Sequence, residues 1–108
     1  MVKDNSAAAI TEAEAANLIS GGAYILDVRT RAGTWLGVVP GARWVALSRL
    51  WHCFHELPPD KVILTYCRTG RRAQKAKLAL EDVGFQAVNG GRFKTIATIV
   101  AAQRAAAA

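Results

Sequence analysis

Only two of the 108 residues are cysteine, Cys53 and Cys67. Two thiols cannot build a multi-bridge disulfide framework, and the absence of Cys-x-x-Cys excludes a zinc ribbon or a thioredoxin-type dithiol. No apolar run approaches the roughly 20 residues needed to span a bilayer. The opening Met1-Val2-Lys3-Asp4-Asn5-Ser6 lacks the apolar core of a signal peptide. A soluble, cytoplasmic protein with no membrane partner is therefore expected. Acidic residues are also few, 8 against 14 lysines and arginines, giving a net charge of +6. A nucleic-acid binder would string its cations along a helix with aromatics interleaved. Here the densest group, Arg68, Arg71, Arg72, Lys75 and Lys77, surrounds a cysteine instead. Attraction of small anions explains that more simply, and no nucleic-acid partner is expected. The length suits one domain, and 52% hydrophobic residues suffice for one packed core.

Helices and strands alternate along the chain. Thr11-Glu12-Ala13-Glu14 has capping-box spacing, with Ile10 and Ala15 placed for a hydrophobic staple. A helix from Glu12 to Ser20 should follow and stop at Gly21-Gly22. These two glycines lie outside any Gly-x-Gly-x-x-Gly pattern. Tyr24 to Val28 reads as a buried strand, in which Asp27 requires a partner such as Arg29 or a loop N–H. Arg43 to Leu47 reads as a short strand. Leu47, Leu50, Phe54 and Leu57 predict one short amphipathic helix, ended by Pro58-Pro59. Lys61 to Tyr66 is the most strand-like run. Ala73, Ala76, Leu80 and Val83 form an apolar stripe on the next helix, with Gly84 at its C-cap. Phe85 to Val88 is a further strand, Asn89-Gly90-Gly91 a turn, and Phe93, Ile96, Ala97 and Val100 a last helical stripe. This order predicts an α/β fold whose parallel sheet is covered by helices. Ligands then bind beyond the carboxyl ends of the strands, where Asp27 and Cys67 both fall.

The most informative segment is Tyr66-Cys67-Arg68-Thr69-Gly70-Arg71-Arg72. It places a thiol between a strand and the start of a helix. Helix N-terminal N–H groups and nearby cations favour a thiolate over a thiol, and they also hold oxyanions. A buried, inert cysteine would not need three arginines beside it. Phosphatases of the cell-cycle, dual-specificity kind use a Cys-x5-Arg loop. Counted from Cys67, that arginine position is Ala73, which argues against phosphatase or arsenate reductase chemistry.

Four segments carry a resemblance. Leu26-Asp27-Val28-Arg29, Gly37-Val38-Val39-Pro40-Gly41-Ala42, the Cys67 to Arg72 loop and Val88-Asn89-Gly90-Gly91 are similar to the corresponding motifs of single-domain rhodaneses, the thiosulfate sulfurtransferase family. They occur in family order between about Ile10 and Phe93. The resemblance implies a three-layer rhodanese-like fold, with a mainly parallel central sheet of about five strands and helices on both faces. A single rhodanese-like domain is expected over residues 1–108, with an ordered core near 10–104 and flexible ends at 1–8 and 105–108, the low-complexity Ala105 to Ala108 being a frayed helix end or added residues. Cys67 would carry a sulfane sulfur as a persulfide. The loop residues Arg68, Thr69, Gly70, Arg71 and Arg72 would cradle that sulfur and receive an anionic donor such as thiosulfate. Cyanide, a thiol or an acceptor protein would take the sulfur, with neither metal nor cofactor implied. A regulatory or protein-docking module is the alternative reading. The chain departs from the family pattern at Thr34 before Trp35, at Val38, at Trp44 and at Arg92-Phe93, which bears on acceptor choice.

Other residues invite different readings. His52, Cys53 and His55 lie close in sequence, but neighbouring helical positions diverge and three ligands leave a metal site incomplete. Packing is the expected role of Cys53. Trp35, Trp44 and Trp51 are expected to pack in the core and at its rim, with an exposed partner-binding wall as the alternative.

Overall fold

The computed structural model describes residues 8–108. The expected flexible segment at 1–8 therefore falls almost wholly outside the described residues. Thr11 caps the first helix, α1 (Glu12–Ser20), through the reciprocal capping box: its hydroxyl accepts from Glu14 N at 3.1 Å, and its own N–H donates to the Glu14 carboxylate at 3.0 Å. Ile10 and Ala15 pack into one apolar cluster, as a staple requires. The chain then runs through β1 (Tyr24–Asp27), a 3-10 turn (Ala32–Leu36) and β2 (Arg43–Trp44). Two further 3-10 turns (Leu47–His52 and Phe54–Glu56) lead to β3 (Ile63–Cys67) and α2 (Arg71–Asp82). β4 (Ala87–Arg92) and α3 (Phe93–Ala107) complete it.

Among the described residues the sheet has four strands, ordered β2-β1-β3-β4 and all parallel. This corrects the expectation of about five. Among the described residues before α1, Ile10 N donates to Asn89 O of the sheet at 2.9 Å.

Burial on both faces explains why the strands read as nearly continuous apolar runs. On β3, Ile63 and Cys67 enter a core that contains Ala73, Ala76 and Leu80 of α2. Leu64 and Tyr66 enter the opposite core, with Ala15 of α1 and Ile96 and Val100 of α3. Helices therefore cover both faces of the sheet. Burying each large side chain of this kind is worth about 1.5–3 kcal/mol.

Four local expectations change. The single helix expected through Leu47 to Leu57 is two 3-10 turns meeting at Cys53. The spacing of three between Leu47 and Leu50, and between Phe54 and Leu57, suits 3-10 geometry, where positions i and i+3 eclipse. Leu50 and Leu57 are buried all the same. Val83, expected in the α2 stripe, is 52% exposed beyond the last turn. The strand expected over Arg43 to Leu47 is only two residues long, Arg43–Trp44, and Leu47 already opens a 3-10 turn.

The fourth change matters for the site. Asn89-Gly90-Gly91, expected as a turn, lies inside β4 as a bulge: Thr65 pairs with Asn89, but Cys67 pairs with Arg92. Gly91 takes φ 93°, and a Cβ on Gly90 would lie 2.8 Å from the Thr65 carbonyl oxygen. Two glycines let the strand absorb the extra residue without steric cost.

Candidate active site

β3 delivers Cys67 to the carboxyl edge of the sheet, and α2 begins at Arg71. The cap between them is Gly70, whose φ of 93° strains any residue with a Cβ. Gly70 has no side chain to satisfy the free N–H groups at the helix start. The Cys67 sulfur takes that place, accepting from Gly70 N at 2.9 Å and Ala73 N at 3.4 Å. Backbone donors fixed in this way stabilise negative charge on sulfur. Ala73, the position where a Cys-x5-Arg loop would place its arginine, contributes only a main-chain donor.

Buried polar groups hold the loop in place. Asn89 donates from Nδ2 to the Gly70 carbonyl (3.2 Å) and to Gln74 Oε1 (3.3 Å), and its Oδ1 accepts from Gly91 N (2.8 Å). Thr65 Oγ1 donates to the Ala73 carbonyl at 2.8 Å. The first turn of α2 is thus tied to both β3 and β4. Sequence reasoning assigned no role to Thr65, Gln74 or Asn89. Thr65 gave one sign, as a hydroxyl inside an otherwise apolar strand.

A second network stands at the end of β1. Asp27 and Arg29 pair at 2.7 Å, with Arg29 Nε on Asp27 Oδ1 at 2.9 Å and the Arg29 N–H on the same oxygen at 3.0 Å. Arg29 was therefore the right partner for Asp27, and it does more. Its Nη1 donates to the Gly33 carbonyl (3.0 Å) and its Nη2 to the Gly37 carbonyl (2.7 Å), which fastens residues 30–37 as an arm beside the cysteine loop. The guanidinium carbon also lies 4.3 Å from the Phe93 ring centre. Tyr66 donates to Asp27 Oδ2 at 3.0 Å. Burial, and then the adjacent Asp27 charge, hold the Tyr66 phenol above its ordinary range, so it remains a donor.

Between the arm and the loop lies a cavity of about 440 Å³. Cys67, Arg68, Thr69 and Arg72 line it from the loop, and Arg29, Thr30, Ala32, Gly33 and Leu36 from the side of the arm. The structure therefore separates the three loop arginines. Arg68 and Arg72 border the cavity, and Arg71 is not among its lining residues. Neither Arg68 nor Arg72 forms a salt bridge among the described residues. Their charge is free for an anion.

The remaining candidates lie elsewhere. Cys53 is half-buried against the core beneath α2. His52 and His55 are exposed. Among the described residues no three His, Cys, Asp or Glu side chains are grouped to hold a metal. The tryptophans are more exposed than core packing predicts: Trp35 82%, Trp51 57% and Trp44 42%. Trp44 nevertheless donates from Nε1 to the Arg29 carbonyl at 2.8 Å.

The described residues contain no helix long and apolar enough to cross a membrane. No curated protein matches the chain. Solved structures do. A rhodanese-like domain protein from Staphylococcus aureus is 25% identical, covers 82% of this chain and 89% of its own, and superposes with a TM-score of 0.71. The reduced CoADR-RHD of Bacillus anthracis is 28% identical over 87% of this chain, with a TM-score of 0.72, although the match spans only 17% of that longer protein. The human single-domain sulfurtransferase shares the fold at 22% identity and a TM-score of 0.65, covering 81% of this chain and 92% of its own. The rhodanese-like domain family matches residues 11–94. That span takes in both the cysteine loop and the Asp27–Arg29 pair, and the chain belongs to the rhodanese-like domain family.

Proposed function

We infer that the protein is a sulfurtransferase that carries a sulfane sulfur as a persulfide on Cys67. The observation that supports this best is the pair of backbone N–H donors on Sγ, from Gly70 and Ala73, next to a cavity edged by Arg68 and Arg72. The two arginines receive an anionic donor such as thiosulfate. The Cys67 thiolate attacks the outer sulfur of the donor. A new S–S bond forms, the sulfur–sulfur bond of thiosulfate breaks, and sulfite leaves with the bonding pair. Cyanide or a thiolate then attacks the terminal sulfur, and the Cys67–sulfur bond breaks to return the thiolate. Two half-reactions of this kind give ping-pong kinetics.

A protein-docking role is the second reading. Trp35, Leu36 and Val38, at 82%, 69% and 65% exposure, lie on or beside the arm that walls the cavity. Thiocyanate formation from thiosulfate and cyanide separates the two. Cys67→Ala should abolish it and Cys53→Ala should not. Equal activity in Cys67→Ala would sink the assignment. After thiosulfate treatment, mass spectrometry should find one added sulfur on the Cys67 peptide.

A further inference from the structure

A second cavity, of about 680 Å³, adjoins the first along Leu36, Arg68 and Thr69, and is completed by Arg92, Phe93 and Lys94. Three cations border it and no carboxylate does. Arg68, Arg92 and Lys94 form no salt bridge among the described residues. Like charges around one cavity favour an anion within it. Leu36 and Phe93 supply apolar surface in the same space. The volume lies within the range of about 300–1,000 Å³ typical of small-molecule sites. Thiosulfate or cyanide would leave most of it empty.

We propose that this cavity is the acceptor subsite for an organic thiol with an apolar body and an anionic group remote from its sulfur. The proposal rests on the persulfide reading above and names the acceptor class. The anionic group sits among Arg68, Arg92 and Lys94, and the body lies against Leu36 and Phe93. The thiol end crosses the wall shared with the first cavity, toward Cys67. The acceptor thiolate attacks the terminal sulfur of the persulfide. The bond between that sulfur and Cys67 Sγ breaks, its electron pair stays on Cys67, and the acceptor leaves as a hydropersulfide. No other oxidant or reductant is consumed.

The test compares 4-mercaptobenzoate with its neutral amide and with cyanide, using thiosulfate as donor. In the Arg92→Ala/Lys94→Ala variant, kcat/KM for 4-mercaptobenzoate should fall about ten-fold, equivalent to about 1.4 kcal/mol. The amide and cyanide should change by less than about two-fold, as expected where no charge is recognised. Equal losses on all three acceptors, or no loss on the carboxylate, would overturn the proposal. A second measurement needs no turnover. The unreactive thioether 4-(methylthio)benzoate is titrated into Cys67→Ala and followed by amide NMR shifts. Saturable shifts at Arg92, Phe93 and Lys94 that disappear in the triple variant support the subsite, and their absence refutes it. If the wild type transfers no sulfur even to cyanide, the persulfide reading fails by itself, and the titration still decides whether the cavity binds such anions.

Discussion

Asp27 and Arg29 form a salt bridge at 2.7 Å in which each side chain is only 2% exposed. The pair does not close on itself. Tyr66 donates to the carboxylate from β3, and the guanidinium donates to two carbonyls of the arm. A charge pair buried this deeply is costly to break, because the surviving partner is left without a counter-charge.

Asp27→Ala and Arg29→Ala should each lower stability by about 3–5 kcal/mol. The double variant should lose clearly less than the sum, because neither charge is then stranded. Urea unfolding midpoints of the three variants measure both effects. Additive losses would show that the pair is not coupled.

Tyr66 makes stability depend on pH. Its folded-state phenol is held above the ordinary value of 10.0, so the folded protein keeps a proton that the unfolded chain releases. The contribution is complete below the unfolded value and is lost as pH rises above it. Between pH 10 and 11.5 the wild type should lose up to about 1.4 kcal/mol per pH unit more than Tyr66→Phe. Parallel stability curves for the two proteins would contradict this.

The loop arginines should separate in kinetics. Arg68→Ala and Arg72→Ala remove cations that border the cavity beside Cys67. Each should raise KM for thiosulfate by about ten-fold, and added salt should narrow the difference from wild type. Arg71, off the cavity lining, should shift KM by less than about two-fold when changed to alanine. Initial rates at two ionic strengths test all three.

Asn89 is a positioning residue that acts through Gly70. Asn89→Ala removes two donated bonds and leaves Gly91 N without its acceptor. Stability should fall by about 1–3 kcal/mol. The kcat for thiocyanate formation should fall while KM for thiosulfate holds, because the cations stay in place and the N–H groups on sulfur move. A change in KM alone would place Asn89 in substrate binding.

Much of this was legible in local sequence. The capping box at Thr11, the apolar runs of β1 and β3 and the glycine before α2 each fix structure through neighbours a few residues away. The cysteine loop was legible for the same reason, since its sulfur and both of its N–H donors lie within residues 67–73. The bulge at Gly90-Gly91 was not. Two glycines after an asparagine read as a turn, and only pairing with Thr65 and Cys67 makes them part of a strand. Trp35 misled in the same way: a large apolar residue suggests packing, yet the arm is held by Arg29 and leaves the indole in solvent.

The sequence by itself determined the α/β order of elements and the sulfur-centred loop, because helix caps, strand runs and a contiguous anion loop depend on residues close together in the chain. Tertiary structure decided which arginines border the cavity beside Cys67 and what braces the loop. Asn89 meets Gly70 from 19 positions away and Tyr66 meets Asp27 from 39. Contacts of that length depend on how strands register and helices pack, and no local pattern encodes them.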